Sequence, residues 1–339
     1  MKTINKILFL ASLIISMIFI SCHKESDNES RKKIQKSDAV IDHLVFEEIC
    51  YSGTVFTKVG FEILYNEDNY IKIHNPSKKT IYLDGLLLAR CVFSSDVAYD
   101  LEAQDTRQTH FPTTLIIQFP GTGSDYPIEP SESVILAAYA YNHREYVEGS
   151  FIGGATNSYD LSDIDFEWQT EEQIARDEDK PSRKDIPNMK MIHSQGEWNN
   201  QDSRQAFDIH TGRTSLALIK LETTIEDLMT KDEYKLPYQL TDTGENHYHV
   251  YQDGVAVNIP NEWVIDCVCL CPLEDYYRPT VGDKLDSGWT SVKHHGSHKE
   301  GRGMSVFRKH DGNTYVDLDN STTDFETRVA SKSQKNESE

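Results

Sequence analysis

The sequence predicts an all-β sandwich with long loops and at most one or two short helices. Three observations predict it. Short runs rich in Val, Ile, Leu, Phe and Tyr recur along the chain, from Val45–Gly53 to Thr314–Asp317. Gly, Pro, Asn and Asp punctuate them at close intervals. Only Thr224–Met229 combines helical spacing with a capping residue, Thr223 or Thr224.

Taken in order, Val45–Gly53 is a first strand that ends at a glycine. In Tyr70–His74 the apolar Ile71 and Ile73 alternate with polar neighbours, as a half-buried strand requires. Asn75–Lys79 is a turn, because Pro76 fixes φ and lacks a backbone donor. Thr80–Leu83 resumes the alternation, which makes Asn69–Arg90 a central hairpin. Ile71, Ile73, Ile81 and Leu83 are expected in the core and Asn75–Lys79 in water. Past the Asp84-Gly85 break, Leu86–Ala89 runs on into the core.

Ser94–His110 is a polar loop, and Thr113–Phe119 is a strand stopped by Pro120-Gly121-Thr122-Gly123. A turn at Ile128–Ser133 leads into a buried strand, Val134–Ala138. Asp160–Pro187 is rich in acids and poor in strand formers, so it is expected as a long surface excursion with at most a short helix. Strands follow at Thr214–Leu221, at Tyr248–Tyr251 and Val255–Ile259 around a Gln252-Asp253-Gly254 turn, and at Trp263–Cys271. Met304–Lys309 and Thr314–Asp317 are expected as a last pair joined through Asp311-Gly312.

The N-terminus carries a different message. Lys2 and Lys6 precede an apolar run, Ile7–Ile20, that ends at Ser21-Cys22. A basic start, a short apolar segment and a small residue at the break describe a secretory signal, residues 1–21. The run is too short to span a bilayer, which takes about 20 residues. Phe19-Ile20-Ser21-Cys22 resembles a bacterial lipobox, whose cysteine becomes the lipidated first residue; that assigns lipidation to Cys22. Residues 22–40 are mostly polar, a flexible lipidated tether. Their early acids, Glu25, Asp27 and Glu29, resemble the export signals that send Bacteroidetes lipoproteins to the outer face of the outer membrane. The sandwich domain then occupies 41–330, and 331–339 is a charged, disordered tail.

The formal net charge is −21, and loss of Lys2 and Lys6 with the signal takes it to −23. Such a balance excludes an affinity that rests on a phosphate backbone, so nucleic acid is not an expected partner. It suits solubility and cationic ligands. Beyond Cys22 the cysteines are Cys50, Cys91, Cys267, Cys269 and Cys271, an odd set in a compartment that permits disulfides.

In this order the chain is similar to lamin-tail-like domains, on Gly53, Tyr70 with Asn75-Pro76, Leu83-Asp84-Gly85, Pro120-Gly121, Pro130, Asp253-Gly254 and Ser305–Arg308. It resembles more closely a Bacteroidetes lipoprotein family known as domain of unknown function 4876. The matching pieces are Tyr82–Gly85, Phe119–Gly123, Asp160–Ser162 with Asp165–Glu167, Ile259–Trp263, Ser305–Lys309 and Asp319–Phe325. The resemblance covers residues 43 to 329. Two departures stand out: Lys72 occupies a position where lamin-tail strands usually carry an acid, and this chain lacks an extra N-terminal β-domain found in many relatives. The resemblance implies an immunoglobulin-like, lamin-tail-like sandwich on a cell-surface lipoprotein. It implies no reaction, and a sandwich is no argument for any particular function.

Candidate chemistry is sparse. Cys267, Cys269 and Cys271 alternate along one strand and share a face, spaced too widely to converge on zinc. A buried face with one disulfide, to Cys50 or Cys91, is the expectation. His294, His295 and His298 lie in a glycine-containing loop that could fold around a divalent metal or haem, with His247 and His249 as further ligands. Asp160, Asp163, Asp165 and Glu167, with Asp177–Asp179, offer hard oxygens for calcium but lack the spacing of an EF-hand. The sequence holds no Gly-x-Ser-x-Gly, no His-Glu-x-x-His and no phosphate loop at Gly121-Thr122-Gly123. The expectation is a non-enzymatic outer-membrane surface lipoprotein. It would bind a ligand or partner protein as an accessory to an uptake transporter; metal or haem capture and surface adhesion are the alternatives.

Overall fold

Strands that alternate need one covered face, whereas unbroken apolar strands need two. The chain has both kinds, and the computed structural model gives each its environment. It describes residues 41–58, 60–99, 105–145, 154–168, 185–194, 207–241, 251–272, 277–293, 300–312 and 314–332. In chain order the strands begin with β1 (Val45–Cys50), β2 (Thr54–Lys58), β3 (Phe61–Tyr65), β4 (Tyr70–His74), β5 (Ile81–Tyr82) and β6 (Leu87–Cys91). They continue as β7 (His110–Gln118), β8 (Pro127–Ile128), β9 (Ser133–Ala137), β10 (Phe166–Glu167), β11 (Lys190–Ser194) and β12 (Ser215–Ile219). The remainder are β13 (Lys235–Thr241), β14 (Tyr251–Pro260), β15 (Val264–Cys269), β16 (Met304–Arg308), β17 (His310–Asp311), β18 (Thr314–Tyr315) and β19 (Phe325–Val329). Among the described residues two short α-helices accompany them, α1 (Ile225–Thr230) and α2 (Ser321–Asp324).

The expected all-β sandwich is what forms. A six-stranded sheet, β10-β9-β4-β1-β16-β19, packs on a seven-stranded one, β13-β14-β7-β6-β12-β15, with β11 paired to β7. The first sheet sends Phe46, Ile71, Leu136 and Val306 into the shared core, and the second sends Leu88, Ile117, Leu218 and Val268. Phe46 and Ile49 both face this core although three residues apart, because the β1–β4 register shifts between Phe46 and Glu48. Such a bulge resets the alternation. The outer face of the second sheet carries a further apolar layer, where Leu87, Ala89, Ile116 and Ile219 meet Leu228 of α1, Trp263 and Val281. Covered on both sides, β12 is buried at every position. The side chain of Thr224 caps α1 by accepting from the Asp227 N–H, as the sequence leads one to expect.

Several expectations are corrected. Asn69–Arg90 is not a hairpin: β4 pairs β1 and β9, whereas β5 pairs β8. The β5–β8 pair is a small sheet of its own, the chain joins the seven-stranded sheet only at β6, and the turn that leaves β4 is locked by Asn75. Its Nδ2 donates to the carbonyls of Lys79 and Ile128 (2.7 and 2.8 Å), and its Oδ1 accepts from Ser77 (3.0 and 2.6 Å). Asn75 and Ser77 are therefore buried rather than exposed, and Lys78 and Lys79 alone stand in water. Ile71, Ile73 and Leu83 are core as expected, with Ile81 at its margin.

Asp160–Pro187 is not purely a surface excursion. Leu161, Ile164, Phe166 and Trp168 are buried, and β10 adds a parallel edge to β9. Gln252-Asp253-Gly254 is no turn, because β14 runs straight through it against β13. β16 pairs β1 and β19 rather than Thr314–Asp317. Ser331 and Lys332, placed by the sequence in the tail, are tied down: Ser331 donates to Glu48, and Lys332 Nζ reaches Asp163 at 2.7 Å.

Two glycine-containing motifs prove to be one structure. The Asp84 carboxylate accepts from the N–H groups of Gly123, Asp125 and Tyr126 at 2.8–2.9 Å. A Cβ on Gly121, whose φ is +113°, would lie 2.2 Å from Asp84 Oδ1, so only glycine fits there. Tyr82–Gly85 and Phe119–Gly123 thus meet around one carboxylate.

Candidate functional site: a cleft beside a buried arginine

Arg308 is the second residue after Val306 on β16, so it points to the same inner face. Only 2% of it is exposed. A guanidinium there must find a partner for every donor. Nη2 donates to both oxygens of Asp266 at 2.8 and 2.7 Å, which bridges the two sheets. Nε donates to Phe46 O (3.0 Å), and Nη1 to Val316 O and Asp317 Oδ1 (3.2 and 3.1 Å). The Phe325 ring lies 4.7 Å from the guanidinium carbon.

The acids around it differ in state. Asp266 also accepts from the backbone N–H groups of Phe46 and Cys267 (2.6 and 2.9 Å). Burial pushes its carboxyl up to about 6 against the pull of Arg308, which leaves it ionised at neutral pH. Burial also opposes the charge on Asp317, but a hydrogen bond with His43 and the field of Arg308 outweigh it and hold the carboxyl below the usual range. His43 Nε2 is 3.1 Å from Asp317 Oδ2. Asp324, 3.9 Å from Arg308, is pushed up to about 6 by burial, and its Oδ1 has no hydrogen-bond partner among the described residues.

This network forms one wall of a cleft of about 490 Å³. Asp266 of β15 and the Asp317 and Asp319 segment line it on that side. Gln108 and Thr109, ahead of β7, the Asn261-Glu262 turn and Lys284 line it as well. Asn261 is fixed by its Nδ2 bond to Arg107 O (3.0 Å), while its Oδ1 is buried without a partner among the described residues. Of the four carboxylates that line it, Asp266 and Asp317 are already engaged by Arg308, so Glu262 and Asp319 are the acids that suit a cationic ligand, with Lys284 opposing and amide and hydroxyl groups at hand for its polar atoms.

The residues singled out from the sequence fare differently. Cys22, His247, His249, His294, His295, His298 and Asp177–Asp179 lie outside the described residues. Asp160, Asp163, Asp165 and Glu167 do not converge: they engage Ser162, Lys332, the Ile135 N–H and the Ala140 N–H separately. Among the described residues no group of three or more His, Cys, Asp or Glu side chains is placed to hold a metal ion.

The expected disulfide is corrected too. Cys50, Cys91, Cys267, Cys269 and Cys271 are all buried free thiols. Cys91 and Cys269 flank Ser215 on the strands either side of β12, two strand spacings or about 9.6 Å apart, too far for the pair to bond. Thr280 covers this row, 2.6 Å from Ser215 Oγ and 3.6 Å from Cys269 Sγ. Burial pushes the Cys91 thiol up to about 12 and raises those of Cys50, Cys267 and Cys269 well above the ordinary thiol value, which keeps them unreactive.

Sequence reasoning missed Asp266, Arg308, Asp317 and His43 as a group. A signal existed for one of them: in Met304–Arg308 the apolar alternation puts an arginine on the inner face.

The model of a family described as a protein of unknown function (DUF4876) matches residues 129–332, more than half of the chain. The chain belongs to this family. Within it, a crystal structure of a DUF4876 family protein from Bacteroides thetaiotaomicron VPI-5482 is 24% identical, with a TM-score of 0.63. That likeness covers 84% of this chain and 71% of the other, and it shows the shared fold. No curated protein matches. The DUF4876 match contains Asp266, Arg308, Asp317 and Asp324, whereas His43 and β1 precede it.

Proposed function

We propose that this chain is a lipid-anchored binding protein of the outer-membrane surface that takes a cationic ligand into the cleft beside Arg308. The observation that carries the binding role is the cleft lined by Glu262, Asp266, Asp317 and Asp319, on a chain of formal net charge −21. Asp266 and Asp317 are engaged by Arg308 and His43, which supports recognition rather than acid–base chemistry. The anchor rests on Phe19-Ile20-Ser21-Cys22 behind a basic and apolar start, followed by a polar tether. A lipid-held binding protein at that surface would serve as an accessory to an uptake transporter.

Calorimetric titration of the purified protein with spermidine and with oligolysine tests the cleft. Saturable binding that falls at least tenfold in a Glu262→Gln/Asp319→Asn double variant is expected. Asp319 has φ +50°, a conformation that Asn tolerates, so the second change leaves the backbone in place. Absent or unaltered binding would reject the assignment. Radiolabelled palmitate incorporation, lost in Cys22→Ala, tests the anchor separately.

A further inference from the structure

The start of the described domain is fixed at the cleft. Ile41 packs with Val45 and Tyr315 in a small apolar cluster of its own. Two residues further, His43 Nε2 meets Asp317 Oδ2 at 3.1 Å across a sequence separation of 274 residues. Asp317 in turn takes Arg308 Nη1 on its other oxygen and lines the cleft. Residues 1–40 therefore join the domain at the point where His43 grips the cleft wall.

We propose that His43 is a pH-dependent clasp that fastens the beginning of the domain to the wall of the cleft and loosens as its ring loses a proton. As an imidazolium, His43 pairs a positive charge with the Asp317 carboxylate; as a neutral ring it keeps at most a hydrogen bond to that carboxylate and loses the attraction between opposite charges. The charged groups facing it are Asp317, Asp266 and Asp42, whose Oδ1 is 3.7 Å from His43 Nδ1. Arg308 lies behind Asp317 and spends its charge on Asp266 and Asp317. The hydrogen bond to Asp317 raises the His43 pKa, against the lowering effect of burial. A histidine whose folded value is raised contributes stability that is complete below about pH 6.5 and is lost as pH rises through the folded value. The clasp is thus closed on the acid side and open on the alkaline side. It rests on the junction alone and stands whether or not the cleft binds a ligand.

Histidine proton resonances of the full chain, followed from pH 5 to pH 9, test it. The His43 signal is the one missing in His43→Gln. Its midpoint should lie above that of free histidine and return towards it in Asp317→Asn. In parallel, the melting temperature of the unsubstituted protein should exceed that of His43→Gln by about 2 °C or more at pH 5, with the gap closing by pH 9. A midpoint at or below that of free histidine, or a gap of equal size at both pH values, would overturn the clasp. Should Asp317→Asn fail to fold, the other two measurements decide.

Discussion

The two ends of β1 bury acidic groups in opposite ways. At the Phe46 end, Asp266 and Asp317 meet a guanidinium, and charge answers charge. At the Cys50 end the answers are hydroxyls and backbone N–H groups. Glu48 accepts from Tyr70 Oη at 2.5 Å and from the N–H and Oγ of Ser331. Nearby, Asp68 accepts from Thr54 Oγ1 and Ser158 Oγ, both at 2.6 Å, while its Oδ1 has no partner among the described residues. The difference lies in what a single loss leaves behind. Without Arg308, a buried charge is orphaned; without one hydroxyl, the acid keeps its remaining donors.

The sharpest test of that contrast is Arg308→Met. It should cost about 3–5 kcal/mol, read from urea unfolding, because Asp266 loses its ionic partner between the sheets and must either carry an uncompensated charge or take up a proton. A cost below about 1 kcal/mol would mean that the Phe46 and Cys267 N–H groups hold Asp266 alone, and the two ends would no longer differ.

The next effect is on pH dependence. Burial pushes Asp68 up to about 6, as it does Asp324. An acid raised in the folded state contributes stability that is complete below its unfolded value, about 3.9, and is lost as pH rises through 6. Asp84, held below the usual range by backbone donors although burial opposes it, works the other way and loses its contribution as pH falls. The melting temperature should therefore fall between pH 5 and pH 7.5, and Asp68→Asn should flatten that slope. An unchanged slope in Asp68→Asn would exclude Asp68 as its source.

The smallest effect is expected for Tyr70→Phe, about 1 kcal/mol, since Glu48 retains both bonds from Ser331. A loss as large as that of Arg308→Met would make the hydroxyl end as dependent on a single partner as the ionic one.

Legibility follows the range of the interactions. Ile71 and Ile73 could be placed in the core from alternation, and α1 from its capping threonine, because both signals act within a few residues. Asn75 misled for the same reason: Pro76 and the lysines next to it look like an exposed turn, and Ile128 and Glu132, which bury it, are more than 50 residues away. The β2, β3, β11, β13 and β19 strands went unread because their apolar content is low or their pairing is at an edge. In β13, Leu236 and Tyr238 are buried between exposed Lys235, Pro237 and Gln239. A proline fits only where no ladder donor is needed.

By itself the sequence determined the all-β class, the location of α1 and the inward-facing residues of the central strands. Periodicity and turn chemistry are local, and they suffice for those. The tertiary structure alone decided which strands pair, that all five described cysteines stay thiols, and that His43, Asp266, Arg308 and Asp317 share one site. Arg308 and Asp266 are 42 residues apart, and His43 and Asp317 are 274 apart. A contact of that kind exists only once two sheets have closed over a guanidinium that would be too costly to bury unpaired.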